Sequence, residues 1–511
     1  TDGDDEPEAA LSDDDTELEA DVDLAEVNEQ VIELARAQSA DIETGLVAKG
    51  IKVLKGRARL IDTEHVVATT TEGWKVYEAD TILVATGARP RLMESAMPDG
   101  ERILTWQQIW DLKTLPEKLI VIGSGVTGVE LAQAYLHLGC QVTLISSREH
   151  VLPGKDPDAA QVLEKVLASR GMEVLARSRA DAVERTETGV VVTLSDGRTV
   201  EGSHALLAVG SLPNTGDIGL EEAGVALDER GYIQVDRVSR TTAHGVYAAG
   251  DCTGVLPLAS VAAMQGRIAV AHAIGDEVHP LNTMGISANI FTDPEIATVG
   301  MSDEETNDDR TFSTIVLPLD TNPRAKMHNI REGFVKLFAH RASNMVVGGV
   351  IVAPRASELI YPIALAVHNR LTADDMARTI TVYPSLTGSI AEAARRLHEI
   401  TDSTCTHFST HFCGPVRNQR ARSVVEAIGM QAPVRLSRMP MGRQFRFPGG
   451  EVNVMDLNSI VNRAKGLATD GLAKAKHYAS ENSGTVNSGL SKAEQFVNDK
   501  TGGKYSDKIA K

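Results

Sequence analysis

The amino-acid sequence is poor in the features that define three broad classes of protein. Its 511 residues include only four cysteines, which are too few and too scattered for a disulfide framework. No apolar run is long enough to cross a bilayer. A net charge of −19 argues against whole-protein affinity for nucleic acid or anionic membranes. We therefore expect a cytosolic protein whose partners include neither a membrane nor a nucleic acid.

Two further absences concern the N-terminus. The first residue is Thr, and no signal-peptide pattern follows it. Residues 1–25 are acidic and contain no aromatic side chain, so they bury too little apolar surface to order themselves. We expect a disordered acidic segment there, in a chain that is a piece of something longer or a processed product. The length of the chain, 511 residues, predicts about three or four domains.

What the sequence does contain is one clear βαβ unit. The apolar run Leu119–Ile122 predicts a buried strand, a helix-period segment follows, and Val142–Ile145 predicts a second strand. Between strand and helix, Gly123 permits a tight turn, Gly125 lets the backbone approach a pyrophosphate, and Gly128 lets the helix pack on the strand. The unpaired N–H groups of the helix N-terminus suit an anion. The unit predicts a dinucleotide site.

The residues after the second strand bear on which dinucleotide binds. An acidic residue usually stands there to hold the ribose of NAD, whereas this chain has Ser146, Ser147 and Arg148. Without a carboxylate to repel a 2′-phosphate, and with a guanidinium nearby, NADPH should bind at least as well as NADH. The alternative is that Arg148 is an ordinary solvated surface residue.

Three further strand ends have the form of ligand-facing turns. Thr81–Ala85 predicts a buried strand that ends in a sharp turn at Thr86-Gly87. The segment 205–215 repeats that pattern. A third strand ends at Gly250-Asp251, which places a carboxylate at the carboxyl edge of a sheet, where ligands of open α/β folds bind.

Periodicity predicts the remaining elements. Helices are expected at Val27–Val47, Asp156–Arg170, Ala356–Asn369 and Ala373–Thr379. Strand-like segments are Ile51–Leu54 and Ala58–Asp62, and a hairpin joins Val190–Leu194 to Thr199–Glu201. The β-rich segments 289–300 and 333–352 with the last two helices form an α+β module apart from the α/β part.

Five motifs in order carry a family resemblance. They are ATG ending at Gly87, GSGVTG at 123–128 with Glu130, PNT at 213–215, YAAGD at 247–251 and FTDPEIATVG at 291–300. Residues 25 to 400 resemble the pyridine nucleotide-disulfide oxidoreductase family. Longer stretches such as YAAGDCTGVLPLASVAAMQGRIA and NPRAKM resemble its quinone-reducing relatives of lipoamide dehydrogenase.

The resemblance implies FAD and NAD(P)H as cofactors and a homodimer. The implied domains are a partial FAD-binding domain (26–113), an NAD(P)-binding domain (114–236), the second part of the FAD domain (237–280) and a dimerisation domain (281–400). Glu130 would lie near the nicotinamide, and Asp251 would bind the ribityl chain of FAD. The other cofactor-binding candidates are Thr86, Gly87, Gly123, Ser124, Gly125, Val126, Thr127, Gly128, Ser146, Arg148, Gly210, Gly250 and Ala259.

Two departures from the family pattern decide the expected chemistry. The acid/base His and Glu of its dithiol enzymes are replaced by Tyr383, a second candidate catalytic residue, and Gly388, so proton transfer to a thiol is poorly supported. The family's tyrosine over the nicotinamide face falls at Val126, a smaller side chain. We expect a quinone acceptor, and the alternative is a lipoamide dehydrogenase-like disulfide reductase.

A third departure concerns FAD itself. The family opens with its own GxGxxG unit for the ADP half of FAD, and none precedes Gly123 in this chain. An N-terminally truncated FAD domain would lose the strands at the centre of its sheet. We therefore expect this chain to bind FAD weakly or not at all.

The C-terminal part of the chain changes character twice. Residues 401–454 are Arg-rich and contain the cluster Cys405, His407, His411 and Cys413. Its spacing fits no standard zinc finger, so we expect a linker and no metal site. Residues 455–511 resemble small helical antitoxin proteins of actinobacteria and predict a helical or disordered tail with a possible toxin partner. A non-catalytic flavoprotein remnant fused to this tail is the other functional alternative.

Overall fold

The computed structural model describes residues 23–308 and 310–408. In these ranges the helices are α1 (Leu24–Ala48), α2 (Val126–His137), α3 (Pro157–Ser169), α4 (Ala259–Ala273), α5 (Pro323–Met327), α6 (Ala356–Leu359), α7 (Tyr361–Asn369), α8 (Ala373–Arg378) and α9 (Thr387–Phe408). No helix in this part of the chain is both long and apolar enough to cross a membrane.

Within the same ranges the strands form six sheets. In chain order they are β1 (Gly56–Leu60), β2 (His65–Thr70), β3 (Gly73–Glu78), β4 (Ile82–Val84), β5 (Ala88–Pro90), β6 (Ile103–Thr105), β7 (Lys118–Ile122), β8 (Gln141–Ile145), β9 (Glu173–Leu175), β10 (Ala180–Arg185), β11 (Val190–Leu194), β12 (Thr199–Gly202), β13 (His204–Leu207), β14 (Ser211–Pro213), β15 (Val246–Ala248), β16 (Ser287–Ile290), β17 (Glu295–Gly300), β18 (Phe312–Pro318), β19 (Phe334–His340) and β20 (Met345–Ala353). Single turns of 3-10 helix lie at Glu94–Ala96, Gln108–Asp111, Asp251–Thr253, Thr283–Gly285 and Leu319–Thr321.

Helix α1 begins earlier than the composition of the N-terminus suggests. The Asp23 side chain accepts a hydrogen bond from the Glu26 N–H at 3.2 Å and so caps the helix. The helix predicted at Val27–Val47 is confirmed, but the acidic segment cannot extend to residue 25, because Leu24 is already helical and buried. Residues 1–22 lie outside the described residues.

A three-stranded antiparallel meander, β1-β2-β3, follows α1. The strand expected at Ile51–Leu54 is wrong: this apolar segment has no partner strand among the described residues and is largely exposed. The first strand begins instead at Gly56, whose missing side chain lets the Thr69 carbonyl of β2 approach. Alternating apolar residues predict a strand only where a neighbour is available to bond the backbone.

The centre of the molecule is a five-stranded parallel sheet with the order β6-β13-β7-β8-β9. The strands predicted at Leu119–Ile122 and Val142–Ile145 are its third and fourth members. Leu119 and Val121 point to the face covered by α2 and α3, whereas Ile120 and Ile122 point to the other face. Burial of each such side chain stabilises the fold by about 1.5–3 kcal/mol.

The second face of the parallel sheet is covered by the antiparallel sheet β10-β11-β12. The hairpin predicted between β11 and β12 is confirmed, with Gly197 at a φ of +86° in its turn. Two small sheets join this domain to its neighbours: β4 pairs in parallel with β15, and β5 pairs antiparallel with β14. The α/β class predicted for this part of the chain is confirmed.

The second large sheet is antiparallel, with the order β16-β17-β20-β19-β18. It packs against α7 and α9 around a separate core. The single helix expected at Ala356–Asn369 is wrong, because α6 ends after Leu359 and α7 restarts at Tyr361. Pro362 lacks an N–H, and its ring would clash with the carbonyl of residue 358 in a continuous helix.

A buried lysine joins the parallel-sheet domain to the antiparallel module. Lys336 of β19 is 1% exposed, and its Nζ lies 2.7 Å from Asp156, 2.6 Å from Asp158 and 3.2 Å from Asp303. Asp156, itself buried, is the N-cap of α3 and accepts a hydrogen bond from the Ala159 N–H at 3.0 Å. The base of α3 is therefore fixed to the neighbouring sheet by charge.

Helix α9 extends further than the linker prediction allows. It runs through Phe408, so an unstructured linker cannot begin at residue 401. The reason can be read in the sequence, because no Gly or Pro follows Gly388 until Gly414-Pro415. The Cys405 and His407 positions lie on this helix, while His411, Cys413 and the tail 455–511 lie outside the described residues.

Candidate functional site

The three glycines of the turn between β7 and α2 have different structural roles. A Cβ at Gly123, where φ is +111°, would overlap the Ala208 carbonyl, and one at Gly128 would overlap the Gly123 carbonyl. A Cβ at Gly125 would meet no atom within 4 Å. Gly123 and Gly128 therefore serve packing, while the open space beside Gly125 fits a bound pyrophosphate.

The N-terminus of α2 presents free backbone donors to that space. Gly125 is its N-cap, and no side chain caps the helix. The first-turn N–H groups, beginning with those of Val126 and Thr127, point out of the helix end together with its positive dipole. The residues present thus fit the diphosphate of a nicotinamide dinucleotide, as the sequence predicts.

Ser124 and Ser146 support the turn from inside. The two hydroxyls are buried and lie 2.7 Å apart, and the Ser146 Oγ also accepts a hydrogen bond from the Arg148 N–H at 3.2 Å. Ser146 therefore links the end of β8 to the glycine turn rather than facing a ribose. Arg148 lies exposed at the same strand end.

A second group of candidates surrounds the ends of β4 and β15. Gly87 has a φ of +67° with open space beside it, and Gly250 has a φ of +81°. The Gly250 N–H donates to Gln265 Oε1 at 2.9 Å, a buried partner that sequence reasoning missed. Asp251 opens a 3-10 turn at the carboxyl end of β15. These positions fit the flavin and ribityl half of FAD.

Three more candidates border these strand ends. The Thr86 carbonyl accepts a hydrogen bond from the Asn214 side chain at 2.9 Å, which closes the turn after β4. Ala259 is the first residue of α4, another helix that no side chain caps. Gly210, with a φ of +97° and open space beside it, follows β13 and faces the same sheet edge as the glycine turn.

Glu130 lies one turn into α2 and contacts the antiparallel module. Its Oε1 accepts a hydrogen bond from the Phe291 N–H at 2.7 Å. Burial raises the pKa of the carboxyl above its ordinary value of 4.5, against the lowering effect of that hydrogen bond. Gln133, one turn later, donates to the Asp293 carbonyl and accepts from the Asp293 N–H, so α2 holds the loop 291–294 at two points.

The structure does not bring Tyr383 to this group. The residue lies between α8 and α9, is 81% exposed, and makes no hydrogen bond to any nucleotide-site candidate in residues 23–308 and 310–397. Gly388 lies in the first turn of α9, so no carboxylate stands at the position of the family's Glu.

The two cysteines with described side chains are both buried. Burial raises the pKa of Cys140 to about 11 and that of Cys252 above its ordinary value. Each therefore stays a neutral thiol at pH 7. Among the described side chains, no group of three His, Cys, Asp or Glu residues is arranged to hold a metal ion.

Two groups of strand ends that fit nucleotides, beside an antiparallel module, are the arrangement of a flavoprotein oxidoreductase. Residues 6–266 match the model of the pyridine nucleotide-disulphide oxidoreductase family, and residues 286–394 match the dimerisation domain of that family. The chain belongs to the pyridine nucleotide-disulphide oxidoreductase family, whose members use FAD and NAD(P)H. Residues 472–511 match the MT0933-like antitoxin protein model.

Individual relatives agree with that assignment. The NAD(P)H dehydrogenase (quinone) of Mycobacterium tuberculosis is 54% identical over 396 residues, which are 76% of this chain and 80% of the relative. The dihydrolipoyl dehydrogenase of Geobacillus stearothermophilus is 31% identical over 377 residues, 73% of this chain and 80% of that enzyme. The crystal structure of LpdA from M. tuberculosis matches with a TM-score of 0.71 at 54% identity, covering 74% of this chain and 84% of that one.

Proposed function

We propose that the chain is an FAD-dependent NAD(P)H:quinone oxidoreductase. The observation that carries this proposal is the pair Tyr383 and Gly388, which leaves the antiparallel module without an imidazole and carboxylate to exchange protons with a thiol. The 54% identity to a protein named NAD(P)H dehydrogenase (quinone) supports the same acceptor.

The buried cysteines are a second argument against the disulfide-reductase alternative. A disulfide reductase needs a reactive thiolate near the flavin, whereas burial keeps the two thiols in the described part of the chain, those of Cys140 and Cys252, protonated. A quinone needs only hydride or electron transfer, which bound FAD supplies. Val126 at the helix N-terminus is smaller than an aromatic residue and leaves room for a flat acceptor.

The chain's own residues bind and position the reactants. The N–H groups around Gly125 hold the diphosphate, while Asp251 and Gly87 hold the flavin half of FAD. Glu130, fixed by the Phe291 N–H, stands at the nicotinamide end with a raised pKa. In this arrangement it would orient the nicotinamide.

The test compares electron acceptors on the full chain with FAD in large excess, because the chain has no GxGxxG unit before Gly123 and is expected to bind FAD weakly. We expect NAD(P)H oxidation with 1,4-benzoquinone and no measurable turnover with lipoamide. Gly125→Val serves as the matched control, because its side chain fills the pyrophosphate space in an otherwise intact turn. Lipoamide reduction at a rate similar to that of the quinone would establish the disulfide-reductase alternative, and no turnover with either acceptor would favour the remnant alternative.

We also propose that the antiparallel module pairs as a homodimer. The match of residues 286–394 to a dimerisation domain is supported by its exposed apolar side chains, which include Ile380 at 97% and Tyr361 at 64% exposure. A mass of two chains is expected from light scattering on the full-length protein, and the mass of one chain at micromolar concentration contradicts it. For the tail, the antitoxin match favours a separate toxin partner as a second function.

A further inference from the structure

A cavity of about 300 Å³ opens beside the glycine turn at the carboxyl ends of β7 and β8. Gly123, Ser147, Arg91 and Arg179 line it, together with the apolar residues Met93, Ile122, Ile145, Ala180 and Val209. Its lining residues include a second serine, Ser178, and no carboxylate. The cavity is therefore small, positively charged and adjacent to the proposed diphosphate site, which suits a compact anion.

The backbone holds Arg179 against the end of β8. The Ser178 N–H donates to the Ser146 carbonyl at 2.8 Å, and the Arg177 N–H donates to the Arg148 carbonyl at 2.8 Å. The carbonyl of Arg179 itself accepts from the Ser195 N–H at 2.9 Å. The loop after β9 thus runs along the strand end at which dinucleotide sites discriminate the ribose.

Arg91 reaches the same cavity from a different part of the chain. It follows β5, and its backbone N–H donates to the Gly210 carbonyl at 3.0 Å. Two arginines from positions 88 residues apart therefore line one small space.

Arg91 and Arg179 differ from the neighbouring arginines in lacking a carboxylate partner among the described residues. Arg177 pairs with Glu149, and Arg198 pairs with Asp196 at 2.6 Å. Within residues 23–308 and 310–397, neither Arg91 nor Arg179 has a carboxylate within 4 Å. Two unpaired guanidiniums around one cavity repel each other weakly, and a phosphate between them would remove that repulsion and gain charge-assisted hydrogen bonds.

We propose that Arg91 and Arg179 bind the 2′-phosphate of NADPH and make this chain prefer NADPH to NADH. The inference rests on the proposed function, because it assumes the nicotinamide dinucleotide at the glycine turn. Arg148, which the sequence favours for this role, does not line the cavity. Ser147 and Ser178 also line the cavity, and the Ser178 hydroxyl donates to the Ala176 carbonyl at 3.1 Å and accepts from Arg198 at 2.8 Å.

Calorimetric titration of the full chain with nucleotide fragments tests the assignment without turnover. The probes are 2′,5′-ADP, 5′-AMP, which lacks the 2′-phosphate, and 3′,5′-ADP, which carries the same charge on the other hydroxyl. We expect 2′,5′-ADP to bind at least tenfold more tightly than either. Arg179→Gln and Arg91→Gln should each remove most of that advantage while leaving 5′-AMP affinity within twofold.

Arg177→Gln is the matched control, since it removes a neighbouring guanidinium that already has a carboxylate partner. It should leave all three affinities unchanged. If 5′-AMP binds but Arg179→Gln and Arg91→Gln do not alter the preference for 2′,5′-ADP, or if 3′,5′-ADP binds equally well, the assignment of these arginines is refuted. If none of the fragments binds to the wild type, the dinucleotide site itself, and with it the proposed function, is wrong.

Discussion

Replacing Lys336 by Met should separate the role of charge from the role of packing at the junction of the two large sheets. Met keeps the length of the side chain but removes the partner of Asp156, whose side chain is 3% exposed. The carboxylate would keep only its hydrogen bond from the Ala159 N–H. An unpaired buried charge of this kind destabilises a fold by about 3–5 kcal/mol.

The other two carboxylates should contribute little to that loss. Side-chain exposures of 55% for Asp158 and 39% for Asp303 let water solvate them once the ammonium is gone. Almost the whole loss of stability in Lys336→Met should therefore come from the unpaired carboxylate of Asp156. Adding Asp156→Asn to Lys336→Met should restore most of the stability, because an amide is neutral and its oxygen still caps α3.

Urea titrations followed by tryptophan fluorescence measure the free energy of unfolding of the wild type, the two single variants and the double variant. We expect Asp156→Asn alone to cost about 1–2 kcal/mol, since Lys336 keeps two carboxylates. The double variant should be more stable than Lys336→Met. If the double variant is as unstable as Lys336→Met, the loss arises from packing around the lysine, and the argument from an unpaired carboxylate fails.

Three further predictions concern Lys336, the glycine turn and the two buried cysteines. Burial tends to lower the pKa of Lys336, but the hydrogen bonds that its ammonium donates to Asp156 and Asp158 outweigh burial and raise the pKa above 10.5. The stabilisation by this ammonium is therefore complete below pH 10.5 and is lost as the pH rises through the higher folded pKa. Thermal midpoints measured across that range should fall more steeply for the wild type than for the double variant. Gly128→Ala should lower the thermal midpoint by several degrees because its Cβ overlaps a backbone carbonyl, whereas Gly125→Ala should retain the midpoint and weaken NADPH binding in calorimetry. Cys140→Ser and Cys252→Ser together should leave quinone turnover within a few-fold of wild type in a steady-state assay. A folded, flavin-loaded double variant without turnover would show that one of these thiols takes part in electron transfer.

The parts of the fold that the sequence predicted are those in which neighbours along the chain determine the structure. The strand Leu119–Ile122 is uniformly apolar because both faces of its sheet are covered. The distinction between packing and ligand-facing glycines at 123–128 also follows from one local turn. The break at Ile360 was not predicted, although Pro362 stands where a continuous helix needs a donor.

The parts that could not be predicted depend on residues distant in sequence. Ile51–Leu54 has a strand-like pattern, but no partner strand bonds to it among the described residues. Nothing near Arg179 in the chain indicates that Arg91 shares its cavity. Likewise Asp156 and Lys336 are 180 positions apart, so their pairing appears only when both sheets are in place.

The parallel pair β4 and β15 has a consequence for the order in which the chain folds. About 160 residues separate these adjacent strands, and closing a flexible loop of that length costs about 4–5 kcal/mol of chain entropy. The domain built on the five-stranded parallel sheet lies within that loop, and the antiparallel pair β5 and β14 brings together Ala88, which follows β4 closely, and Pro213, which precedes β15 by about 30 residues. Once that domain has folded, the effective loop is much shorter. We therefore expect the inserted domain to become protected from hydrogen exchange before β4 and β15 do, so that the flavin-facing strands meet last.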